Sequence, residues 1–290
     1  MKHISESRDR HIGRAGALAV AVGIGAALAA APWAASATPP SSSTSDTSTS
    51  DASSSAVRTG PNISVATNGV TRVQKGTATA TSVGKGSIAI AHGIDSTATA
   101  GSTRCEVCTV TGHNKAIVNG DNSTATIIGG SYDTAIVHGD NSSASVAYGS
   151  NDTATVIGNN SHASTGRGDN NTATVIGNDS AAGAAFGSNN TATVNGDNSG
   201  AFTSSGSNNI AKVDGDNSNA VAALGDNNTA TVQGDSSTAI AGGGYDTVTQ
   251  TNVSGSNDTA TATGPNSSAT AGPGDGYTAT AGPNQTVTSP

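Results

Sequence analysis

The chain has 290 residues, of which only 2% are aromatic and 11% charged, with a net charge of −8. So few large apolar side chains cannot fill a conventional globular core at this length. The excess of 20 acidic over 12 basic residues argues against nucleic acid or anionic lipid as a partner.

In chain order, Lys2, Arg8, Arg10 and Arg14 precede an uncharged apolar run over residues 15–31, which is followed by Pro32 and then Ala-Ala-Ser-Ala at 34–37. This is the pattern of a secretory signal peptide over residues 1–37, cleaved after Ala37. The run is short for a bilayer span, so no stable membrane insertion is expected after cleavage. Residues 38–57 are almost wholly Ser, Thr, Pro and Asp and read as a disordered linker. Without the first 37 residues the chain keeps eight basic and 18 acidic side chains, a net charge of −10, and loses Trp33, its only tryptophan. The expected location is therefore outside the cell, secreted or attached to the wall.

Beyond the linker the sequence is repetitive. Glycines at 120, 130, 139, 149, 158, 168, 177, 187, 196, 206, 215, 225, 234 and 244 are spaced alternately 10 and 9 apart. The unit is thus 19 residues in two unequal halves, and an alanine stands five residues after every one of these glycines through Gly234. Each half reads as a turn, Gly-Asp-Asn-Ser or Gly-Ser-Asn-Asn, followed by a strand such as Thr-Ala-Thr-Val at 172–175. Alternation puts Ala173 and Val175 inward and Thr172 and Thr174 outward. The predicted fold class is all-β: a parallel β-solenoid of 19-residue coils with two short strands per coil. Residues 58–119 form irregular β-repeats, 120–244 the regular array of about seven coils, and 245–290 degenerate repeats and a tail. With the weaker repeats the rod reaches about eleven coils and roughly 50 Å.

Two asparagine columns are expected to form amide ladders along the axis. One comprises Asn122, Asn141, Asn160, Asn198 and Asn217, the other Asn151, Asn170, Asn189, Asn208 and Asn227.

Residues 76–101, GTATATSVGKGSIAIAHGIDSTATAG, resemble the head repeats of YadA-type trimeric adhesins. That resemblance implies a parallel β-roll and binding of extracellular matrix, whereas trimerisation and autotransport are not expected to carry over. A second resemblance, to RTX calcium-binding repeats, falls on Asp133, Asp152, Asp246 and Asp258, each placed before a Thr and an apolar residue. It implies calcium as a possible ligand of these carboxylates. In the same column, however, Asn171, Asn190, Asn209 and Asn228 replace the acid, which leaves too few charged oxygens for one ion per turn.

The outward pairs Thr153/Thr155, Thr172/Thr174, Thr191/Thr193 and Thr229/Thr231 form a Thr-x-Thr grid, broken by Ile210 and Lys212. Such a grid is similar to the faces of ice-binding β-solenoids, although Thr is also simply a good exposed strand residue. Cys105 and Cys108 read as a local disulfide in an exported chain. His92, His113, His138 and His162 share no column at 19-residue spacing and read as surface residues, with no metal tetrad. No nucleophile, base and orienting group converge, so no enzyme activity and no cofactor are expected. The functional expectation is a structural or adhesive element whose partner is carbohydrate, matrix or another copy of itself. The alternative is a ligand-ordering module, either a calcium-ordered roll or an ice-binding face.

Overall fold

The structure is a computed structural model that describes residues 61–101, 110–246 and 251–289. The signal-peptide and linker segments, and the Cys105–Cys108 pair, lie outside the described residues. Within them every regular element is a strand, as the period-2 alternation of Thr and Ala requires. The strands build two long sheets of 12 and 11 strands, here sheet A and sheet B, which face one another across a narrow interior in a β-solenoid of about 10 turns.

One coil shows the construction. Residues Thr153–Ile157 lie in sheet A and His162–Gly166 in sheet B. Each then pairs in parallel with the strand 19 residues later, Thr153 opposite Thr172 and His162 opposite Ala181. Ala154, Val156 and Ala163 point inward and are fully buried, while Thr153 and Thr155 stay half-buried on the outer surface. At the second inward position of sheet B the column runs Ile127, Val146, Thr165, Ala184, Thr203, Ala222, Ala241, so the core there is less apolar than in sheet A. The hydroxyls of Thr165 and Thr203 are buried without a partner, a local cost that the well-packed valines opposite must offset.

Coil-to-coil contact is close enough to dictate glycine at the turns. Gly158 sits at φ +151°, and a Cβ there would overlap the carbonyl oxygen of Gly177 one coil on. This explains the glycine spacing better than turn propensity does, because the next coil's backbone occupies the space a side chain would need.

The asparagine columns differ from expectation. Asn122, Asn141, Asn160, Asn198 and Asn217, like Asn151, Asn170, Asn189, Asn208 and Asn227, all take positive φ between 52° and 62°. They are the left-handed turn residues and their side chains are exposed; of the ten only Asn227 passes an amide bond along the axis, from Nδ2 to Asn257 Oδ1 at 3.3 Å. The ladders that run along the axis are made by their neighbours. Ser142 accepts the N–H of Ser161 at 3.1 Å and donates to the Gly158 carbonyl at 2.8 Å. Asp140 accepts the N–H of Asp121 at 2.8 Å. In the other turn Asn190 accepts the N–H of Asn209 at 3.0 Å and donates to the Gly206 carbonyl at 2.9 Å. A side chain in left-handed backbone projects away from the stack, so the flanking residue does the bonding.

The ends are unlike. At the N-terminal end β1 (Ile63–Thr67) and β2 (Val70–Lys75) form an antiparallel hairpin, and β1 runs antiparallel to β4 (Ile88–His92). The regular parallel stack thus begins against a reversed strand, with exposed Arg72 and Lys75 on the outermost one. At the other end the strands Thr278–Ala281 and Thr286–Ser289 terminate sheets A and B; Tyr277 and Val287 pack against the last core alanines.

Candidate functional site

Three features of the coil surface and wall carry chemistry. The first is the outer face of sheet A. Thr153, Thr172, Thr191 and Thr229 stand in one parallel register, as do Thr155, Thr174, Thr193 and Thr231, with Ile210 and Lys212 interrupting. The grid extends past the predicted limit to Thr259/Thr261 and Thr278/Thr280. Exposed Ile157 and Ile176 adjoin it in neighbouring coils.

The second is a buried acid–amide column in the turn from sheet B to sheet A. Asn114, Asp133, Asp152, Asn171, Asn190, Asn209, Asn228 and Asp258 are all fully buried. Each passes a hydrogen bond along the axis: Asp133 Oδ1 accepts the N–H of Asp152 at 3.0 Å, and Asp258 Oδ1 that of Tyr277 at 2.7 Å. Asn190, Asn209 and Asn228 also donate from Nδ2 to a glycine carbonyl in the following coil. The three aspartates have an oxygen in that place, and Oδ2 of Asp133, Asp152 and Asp258 has no hydrogen-bond partner. Burial pushes the carboxyls of Asp133 and Asp152 up to about 7, and the negative charge of nearby Asp169 adds to the rise in both. Asp258 is raised for the same first reason. A protonated carboxyl mimics the asparagine amide, since its O–H can donate where Nδ2 does.

This geometry bears on the calcium resemblance. Asp133, Asp152 and Asp258 do share one column, but their Oδ1 atoms are engaged by backbone N–H groups. Asp246 leaves the column altogether: it lies in an inserted antiparallel hairpin, opposite Thr251. Among the described residues no three His, Cys, Asp or Glu side chains gather where one metal ion could be held.

The third feature is the surface of that same turn, which we call the variable edge. The opposite turn places only Asn, Asp or Ser in its left-handed position from Asp95 to Asn284. The variable edge has two left-handed positions in each coil: the first holds Tyr148, Arg167, Phe186, Ser205 and Leu224 at φ 54–58°, and the second holds Asn151, Asn170, Asn189, Asn208 and Asn227, with His113 and Tyr132 in the same register at φ 62° and 60°. Tyr132, Tyr148 and Phe186 are 61%, 50% and 43% exposed. His113 and Tyr132 stack with centroids 4.9 Å apart, and the Arg167 guanidinium lies 5.6 Å over the Phe186 ring. Sequence reasoning missed this column, although the 19-residue spacing of Tyr148, Arg167 and Phe186 was its visible trace.

The histidines are scattered otherwise. His92 and His138 flank Asn119 in one sheet-A column, a relation hidden in the sequence because the period there lengthens. His162 is exposed, with Nδ1 2.6 Å from the Ser143 hydroxyl.

Compared with known proteins, the chain matches no family model, no curated protein and no solved structure.

Proposed function

We propose that the chain is a non-catalytic exported rod, a structural or adhesive element at the cell surface or in the extracellular space. The observation that carries this reading is the division of labour within each coil. Inward positions hold Ala, Val and small residues, and the buried turn side chains bond to the next coil. The side chains left free to meet carbohydrate, matrix or another copy are therefore those on the outside, repeated along the rod. The signal-peptide pattern at 1–37 supports export and the wall-associated or secreted location.

The test is protease accessibility on intact cells expressing the tagged full chain. Accessible protein lacking residues 1–37 is the expected result; protein held inside the cell with those residues intact would sink the reading.

A second reading, ice binding, has one observation in its favour: the Thr grid is in register over a continuous parallel sheet. Absence of thermal hysteresis in the intact protein would dispose of it.

A further inference from the structure

The period of the solenoid lengthens twice. Thr97 pairs with Thr124 and Thr229 with Thr259, separations of 27 and 30 residues in place of the 19 that join Thr153 and Thr172. Both extra lengths enter after a sheet-B strand and before the next sheet-A strand, since the strands Thr97–Ala100 and Thr238–Gly242 end on their N-terminal side. That is the variable edge. In stacked repeats, insertions cluster on the face that binds.

A second observation points to the same place independently. The fold does not require bulky residues in the first left-handed position of this turn, because Ser205 occupies it one coil after Phe186 at φ 57°, and Gly129 one coil before Tyr148 at φ 75°. Placing Tyr, Arg, Phe and Leu there is unfavourable for the backbone. It also turns those side chains outward, and three of the few aromatic rings in the molecule are exposed on this one edge.

We propose that the variable edge between Tyr132 and Phe186 binds a neutral polysaccharide lying along the rod. Exposed rings accept the C–H face of a pyranose, and the exposed or half-buried polar side chains set between them are Ser150, Asn151, Asp169 and Asn170, whose hydroxyl, amide and carboxylate groups match sugar hydroxyls. Arg167 adds a donor held in place over Phe186. A polyanion is disfavoured by the acidic chain. A protein partner would call for a contiguous apolar patch, whereas these rings adjoin polar groups, Tyr132 stacked on His113 and Phe186 beneath Arg167. This assignment rests on the adhesive reading and narrows it to one edge and one ligand class.

The experiment is co-sedimentation of the purified full chain with insoluble cellulose, chitin, β-1,3-glucan and mannan. The comparison protein carries Tyr132→Asn, Tyr148→Asn and Phe186→Asn. Asparagine tolerates positive φ better than the larger side chains and already stands at Asn151 in the register of Tyr132, so the triple variant keeps its fold, checked by an unchanged or raised melting temperature. The wild type is expected to sediment with at least one polysaccharide, and the triple variant to lose affinity about tenfold or more. A Thr172→Val, Thr174→Val control on sheet A binds like wild type. Failure of the wild type to sediment with any of the four overturns the proposal. Equal binding by the triple variant also overturns it, while leaving the adhesive reading in place on another face.

Discussion

Asp152 donates its backbone N–H to Oδ1 of Asp133 at 3.0 Å, and its own Oδ1 accepts the N–H of Asn171 at 2.6 Å. Two carboxyls thus stand in adjacent coils of a buried column in which five of the eight members are asparagine. Amide and acid make the same ladder bond through Oδ1, and burial raises the pKa of Asp133 and Asp152 to about 7.

The first prediction concerns pH. The folded-state pKa of Asp133 and Asp152 is about 7 against 3.8 for an exposed carboxyl. The folded state therefore binds protons more tightly, and the stability contributed is full below about pH 4 and lost as pH rises toward 7. Denaturant midpoints measured between about pH 4 and 8 are expected to fall with rising pH, and Asp133→Asn with Asp152→Asn to flatten that dependence. An identical profile in the double variant would show that the column does not titrate.

Adjacent asparagines should respond oppositely to substitution. Asn190 is buried in the ladder, and Asn190→Ala leaves the N–H of Asn209 and the carbonyl of Gly206 unpaired, at a cost of about 2–4 kcal/mol. Asn189 at φ 61° is only the left-handed turn residue, and Asn189→Gly should change stability by less than about 0.5 kcal/mol. Chemical denaturation of both variants checks the contrast; comparable losses would contradict the assignment of roles.

Calcium should leave the fold unchanged. The ladder carboxylates already accept backbone N–H groups, so the β-type circular dichroism spectrum is expected to persist after exhaustive chelation. A coil spectrum that converts to β on adding calcium would restore the RTX resemblance.

Gly177→Ala tests the close approach of coils. A Cβ at Gly177 would overlap the Gly196 carbonyl, so two coils must separate or the turn must rearrange. A loss of several kcal/mol is expected, read as a lowered denaturation midpoint. A midpoint within error of wild type would mean that the turn has slack the geometry does not show.

The repeat made the coil legible. Its period, the inward Ala173 and Val175, and the outward Thr172 and Thr174 all follow from alternation and spacing, and the structure places them so. The asparagine ladders did not follow, because composition cannot tell which of two adjacent turn residues adopts positive φ: Asn189 and Asn190 are identical in sequence and opposite in role. Asp133 and Asp152 stood out only through the calcium-repeat resemblance, with asparagine as the departure from the acid, and their burial depends on the next coil closing over them. The variable edge escaped notice because Tyr148, Arg167 and Phe186 share no chemistry. Only the backbone position unites them.

The reversed hairpin at the N-terminal end has a bearing on how the chain acquires its shape. β1 and β2 are adjacent in sequence, so they can pair by a short local turn as soon as that stretch is free. Every later coil then meets a completed edge and closes a loop of one repeat, a small entropic step that grows only slightly at the two longer coils. Winding can follow the order of synthesis, first residue to last, with each turn of chain templated by the one before it. A rod assembled in this way never has to search for distant partners, and lengthening it by one more repeat adds a coil without altering the start.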